Sequence, residues 1–143
     1  MTELILLLHA AATLVMVGVI WFVQIVHYPL MARVSRGEFA AYASEHQRRT
    51  TFVVAPAMLI EAVTASVILA MPPAGMSPVL PVAGTSLLAV IWLSTFLVQV
   101  KQHARLANGF DAATHRRLVR SNWVRTAAWT GRGILALAML GPG

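Results

Sequence analysis

Two ionisable residues interrupt apolar sequence at positions where charge is expensive. Glu61 lies inside the stretch Thr51 to Met71, and Arg132 lies inside Trp123 to Leu140. At about 1.5 Å per residue, each sits roughly 12–15 Å from the far end of its helix. A lone charge at that depth costs at least about 2.5–3.5 kcal/mol on insertion scales. The two are therefore expected to meet, either as an ion pair that fixes helix register or as a catalytic pair that handles a proton or a ligand.

The histidines form the second constellation. His27, His46, His103 and His115 fall toward the basic segments, with Gln24 and Gln99 about a turn deeper, while His9 stands near the opposite end. Imidazoles ligate haem iron or a transition metal, and they also serve as plain interfacial hydrogen-bonding groups. The spacing matches no metal motif. His9, His27, His46, His103, Gln24 and Gln99 are the candidate cofactor-binding residues, with haem or a metal as the cofactor classes and the metal unspecified. Arg48, Arg49, Arg116, Arg117 and Arg120 surround the histidines. That mixture suits an amphiphilic small-molecule ligand with a carboxylate or phosphate head at the rim and its tail among the helices. The sequence contains no nucleophile elbow, phosphate loop or Ser-His-Asp arrangement. With no cysteine, thiol redox chemistry and iron–sulfur clusters are excluded.

The elements that position these residues follow from composition. The chain has 143 residues, 58% of them hydrophobic and 11% charged, with a mean hydropathy of +0.72. Soluble domains carry about 25% charged residues, so this chain lacks the polar surface of a water-soluble globule. It reads as one integral membrane domain, 1–143, whose partner is the lipid bilayer. The fold class is all-α, a four-transmembrane-helix bundle with spans at about 4–30, 51–71, 81–101 and 123–140, each near the roughly 20 residues a crossing needs. The first stretch lacks the basic flank and cleavage site of a signal peptide. Arg33, Arg36, Arg48 and Arg49 precede span two, and Lys101, Arg105, Arg116, Arg117 and Arg120 precede span four. The positive-inside rule places the basic loops 31–50 and 101–122 in the cytoplasm and both termini outside, in a multi-pass protein of the bacterial inner membrane. The net charge of +6 is then a topology signal, and no nucleic acid partner is expected.

Local signals extend helices 2 and 4 into the cytoplasm. Ser35 to Glu38 reads as a capping box for a helix through Phe39, Tyr42 and His46. Pro56 is expected to kink that helix. Asn108-Gly109 ends the third helix, and Asp111 caps the fourth. Projected at about 100° per residue, each span carries one polar stripe: His9, Thr13, Gln24 and His27; His46, Thr50, Glu61 and Thr64; Thr85, Trp92, Thr95, Gln99 and His103; Asn122, Arg125, Trp129 and Arg132. Such stripes should face inward and line one hydrophilic lumen. Ala62, Ser66 and Ala70, and likewise Ala127 and Gly131, have the spacing of close helix contacts, within the bundle or in a homo-oligomer.

Three short patterns carry a resemblance: Trp21-Phe22 followed by Tyr28-Pro29-Leu30, Arg48-Arg49 leading to Ala55-Pro56-Ala57-Met58, and Asn108-Gly109 leading through Arg120 to Asn122. In these, and in length and helix count, the chain resembles the HemJ-type protoporphyrinogen oxidases and, more loosely, the CopD-like four-helix proteins. The resemblance implies haem bound through a histidine in the first helix, and separately the use of a lysine early in the third. Alignment on Trp21 and Pro29 puts the ligand position near Leu14, and the third helix offers Thr85 and Ser86 in place of the lysine. What the resemblance then implies is the fold and tetrapyrrole or similar cofactor binding, with His9 as an unaligned substitute ligand.

The expected function is a membrane oxidoreductase or oxygenase acting on a tetrapyrrole, quinone or lipid in an intra-bundle pocket. The alternatives are a non-enzymatic accessory or assembly subunit of a larger membrane complex, and a small proton-coupled transporter in which Glu61 titrates.

Overall fold

The computed structural model describes residues 2–141. Four long helices account for nearly all of them: α1, Thr2–Met31; α2, Phe39–Ala70; α3, Val79–Leu106; and α4, Ala112–Ala138. No strand occurs among the described residues. Three of the helices, α1, α2 and α3, are long and apolar enough to cross a membrane. The remaining one, α4, carries five arginines.

The helices form a four-cornered bundle in which α1 packs on α2 and α4, and α3 packs on α4. The α2–α3 edge is the loosest of the four. Leu7, Phe22, Ile25, Phe52, Leu59, Val63, Leu93, Phe96, Leu97 and Ile134 point outward, whereas His9, Thr13, Gln24, Glu61, Gln99, Asn122, Arg125 and Arg132 are buried. This is the reverse of a water-soluble globule, whose charged groups stay at the surface, and it is the distribution a hydrocarbon solvent requires.

Both basic connections lie at one end of the bundle. There the Arg36 guanidinium sits 3.7 Å from the centre of the Phe110 ring, and Phe39 meets Phe110 edge-on. Tyr28, Met31, Phe39, Ala43, Leu106 and Leu118 close this end with an apolar plug. The loop at the other end, between α2 and α3, carries the prolines Pro72, Pro73 and Pro78.

Several local expectations are realised. Asp111 caps α4, its carboxylate accepting the Thr114 amide at 2.7 Å. Gly109 turns the chain after α3 with φ of +136°, a region open to glycine at little cost. Two others differ. The Ser35 hydroxyl donates to the Glu38 carboxylate instead of capping backbone amides, and α2 begins at Phe39 with no side-chain cap. Ser66 and Ala70 face out of the bundle. Gly131 does make the close contact its spacing suggests, since a methyl added there would meet Leu87 of α3 at 3.2 Å, and a second lies at Gly133, where one would meet Val17 of α1 at 3.1 Å.

Two π-turns shape the interior. Val23–His27 in α1 and Thr95–Gln99 in α3 replace i→i−4 bonds with i→i−5 bonds, Tyr28 N–H to Val23 O and Val100 N–H to Thr95 O. Each turn takes up an extra residue and so rotates everything beyond it relative to a regular helix. Pro29, which has no amide to give, helps to account for the first.

Candidate functional site

The single lumen expected from the polar stripes is divided. An apolar layer of Met16, Ile20, Ala57, Met58, Ile91 and Ala128 separates a polar cluster near the proline-rich end from another near the basic end.

The first cluster centres on Glu61. Its Oε1 accepts the Thr13 hydroxyl at 2.8 Å and Arg132 Nε at 3.2 Å, and its Oε2 accepts the Trp129 indole Nε1–H at 2.9 Å. Every contact comes from a donor, as an acceptor-only carboxylate requires. Arg132 also donates through Nη1 to the Gly84 carbonyl, tying α3 into the same knot. Glu61 and Arg132 thus meet as an ion pair with both side chains buried. His9 stands beside them. The Thr64 hydroxyl lies 2.6 Å from the Ile60 carbonyl and 2.8 Å from His9 Nδ1. With its one proton given to that carbonyl, the contact with His9 is donated by the imidazole, the tautomer with the proton on Nδ1. The space shared by His9, Thr85 and Arg132 is only about 10 Å³, enough for about one water. A tetrapyrrole does not fit in that space.

The second cluster brings together most of the remaining candidates. His27 stacks on His46 with ring centres 3.9 Å apart, and His46 lies 6.1 Å from His103. His103 Nε2 contacts the Tyr28 hydroxyl at 3.3 Å. Gln24 is held between helices, donating to the Val119 carbonyl at 3.3 Å and accepting Asn122 Nδ2–H at 2.8 Å. Asn122 in turn accepts Arg125 Nη1 at 3.1 Å. Gln99 donates to the Ser121 hydroxyl at 3.0 Å. Both glutamines lie in the π-turns, which swing them onto the same stretch of α4. No group of three or more His, Asp or Glu among the described residues is arranged to hold a metal ion.

Beside this cluster a cavity of about 520 Å³ opens at the loose α2–α3 edge. Met16, Ile20, Val54, Met58, Trp92 and Phe96 form its apolar body. Tyr28, His46, Thr50, Gln99, His103 and Arg125 form its polar end. Leu59, Phe96 and Val100 on its rim are exposed on the outside of the bundle, so the cavity opens sideways rather than along the axis. Three buried polar atoms of its lining residues have no hydrogen-bond partner: Gln99 Oε1, His103 Nδ1 and Arg125 Nε.

Sequence reasoning missed Tyr28 and underused Arg125. Tyr28 is 1% exposed, and its backbone carbonyl accepts His115 Nε2–H at 2.9 Å. A regular helix would not have aimed it inward, and only Pro29 hinted at the turn that does. Arg125 was placed on the inward stripe of the fourth helix but not among the binding residues, and it is an interior cation with no carboxylate against it among the described residues. Its guanidinium lies 5.0 Å from the Trp129 ring centre.

No family model matches the chain, and neither does a curated protein or a solved structure.

Proposed function

We propose that this chain is an integral protein of the bacterial inner membrane that binds an amphiphilic molecule in the cavity between α2 and α3. In this reading α4 crosses with the other three helices, both termini lie outside, and the basic loops 31–50 and 101–122 lie in the cytoplasm. The asymmetry of Lys and Arg between the two ends supports the orientation.

The observation that carries the binding function is the pairing of an apolar, laterally open cavity with three unpartnered polar atoms at its polar end. Buried polar atoms without partners are uncommon in folded proteins. Three of them beside one cavity of about 520 Å³, within the range of small-molecule sites, mark where a ligand head would sit. An oxidoreductase acting on a quinone or lipid would use the same cavity, with the substrate's reactive head at Arg125, Gln99 and His103.

The test is extraction of the purified protein followed by mass spectrometry of what co-purifies. Ala55 lines the cavity without joining the polar contacts, so Ala55→Trp fills the space and spares the head-group residues. An amphiphile recovered from the parent and lost from Ala55→Trp is the expected result. Equal recovery from both proteins, or from neither, would refute the cavity as its site. Orientation is checked separately. The chain has no cysteine, so single cysteines at the exposed positions Gly37 and Ser77 can be labelled from one side with an impermeant maleimide.

The exposed small residues Ser66 and Ala70 on the outer face of α2 favour a second reading, an accessory subunit packed against another membrane helix. Purification in mild detergent as a single species without a partner would count against it.

A further inference from the structure

The reading of the cavity as an amphiphile site leaves open what kind of head it selects, and Arg125 bears on that. Arg125 is 8% exposed and lines the cavity. One arm of its guanidinium is held by Asn122, which is itself held by Gln24. The guanidinium is therefore aimed by a relay of two amides. The ring of Trp129 offers only a partial counter-charge. The buried carboxylate of this bundle, Glu61, is taken up by Arg132 on the other side of the apolar layer. The exposed Glu45 pairs with Arg48 and Arg49 outside the cavity. An interior cation without an anion is costly, and here the missing anion would fall at the polar end of a cavity whose body is apolar.

We infer that the cavity takes a single-chain anionic amphiphile, a long-chain fatty acid, whose carboxylate pairs with Arg125 while its acyl chain lies along Met16, Val54, Met58, Trp92 and Phe96. This rests on the amphiphile-binding reading above. Arg125 and His103 both line the cavity and each keeps a buried nitrogen without a hydrogen-bond partner, Nε and Nδ1, and a space of about 520 Å³ suits one chain better than the two of a diacyl lipid. The open α2–α3 edge lets the acid enter from the bilayer.

The experiment uses the intact chain reconstituted in nanodiscs, with tryptophan fluorescence quenched by bromine-labelled stearic acid or by its methyl ester. Trp92 lines the cavity, so site-specific quenching is the saturable part that Trp92→Phe removes. The acid is expected to bind at least about tenfold more tightly than the ester, the scale of a charge-assisted hydrogen bond. Arg125→Gln should bring the acid down to the ester's affinity and leave the ester unchanged, with Arg125→Lys keeping part of the preference. Equal binding of acid and ester to the parent protein overturns the anionic-head inference and leaves the cavity reading intact. Stronger saturable quenching by a brominated anionic phospholipid overturns the fatty-acid assignment in favour of a lipid phosphate. Absence of saturable quenching by acid, ester and a long-chain quinone alike removes the cavity reading as well. Should Arg125→Gln not fold, the acid–ester comparison on the parent protein decides alone.

Discussion

Trp129 on α4 and Glu61 on α2 sit at opposite corners of the bundle, yet the indole Nε1–H reaches the carboxylate Oε2 at 2.9 Å. A second diagonal tie, Tyr28 on α1 to His103 on α3, lies on the other side of the apolar layer. The helices are thus cross-braced at two levels, and each brace is a buried polar contact that loses stability when one partner is removed.

Glu61→Gln and Arg132→Ala should therefore each lower stability by about 3–5 kcal/mol, because each leaves an uncompensated charge in the interior. Trp129→Phe keeps the ring and removes one of three donors to the carboxylate, so its loss should be smaller, about 1–3 kcal/mol. Thermal denaturation of the purified variants in one detergent ranks the three. A Glu61→Gln protein as stable as the parent would show that the pair carries no stability.

The tautomer of His9 is open to direct measurement. Nitrogen chemical shifts of the labelled imidazole should report a proton on Nδ1 and a lone pair on Nε2. Thr64→Val removes the acceptor, and stability should fall by about 1–3 kcal/mol for the donor left unsatisfied.

Gln24 and Asn122, 98 positions apart, share a 2.8 Å hydrogen bond that pins the first π-turn to α4. A double-mutant cycle with Gln24→Leu and Asn122→Leu should give a coupling energy of about 0.5–3 kcal/mol, as contacting residues do. Additive single effects would mean that the turn is held by α1 alone.

Asp111 gives a pH dependence whose sign follows from its surroundings. Hydrogen bonds from Thr114, side chain first and then backbone, hold its carboxyl below the ordinary value of 3.8. A carboxyl depressed in the fold contributes stability that is complete above its unfolded value and declines as pH falls through its folded one. The melting temperature of the parent should thus drop on acidification below about 3.8 more than that of Asp111→Ala, and the two should run parallel at higher pH. Parallel curves throughout would show that the cap carries no titrating stability.

Much of the architecture was legible in the chain because the cause is local. Runs of apolar residues longer than a soluble helix needs predict membrane-spanning helices, and α1, α2 and α3 are long and apolar enough to cross a membrane. Asn122, Arg125, Trp129 and Arg132 fall on one face of a regular helix, and all four are buried. Glu61 and Arg132 were expected to meet on cost alone, and they do. The phase of α1 and α3 was not legible. Tyr28 took an interior position and His27 moved to the α1–α2 edge because a π-turn lies between them and the regular part of the helix, and Thr95–Gln99 gave no sign of the second turn.

Sequence alone determined that this protein is a set of apolar helices with polar residues facing inward, since that pattern depends only on side-chain type and helical repeat. Tertiary structure alone decided which polar groups meet, that they separate into two clusters across an apolar layer, and that Arg125 faces a cavity without a counter-ion. Those outcomes turn on helix packing and on two one-residue shifts of phase, and contacts between residues tens of positions apart are set by the sum of both.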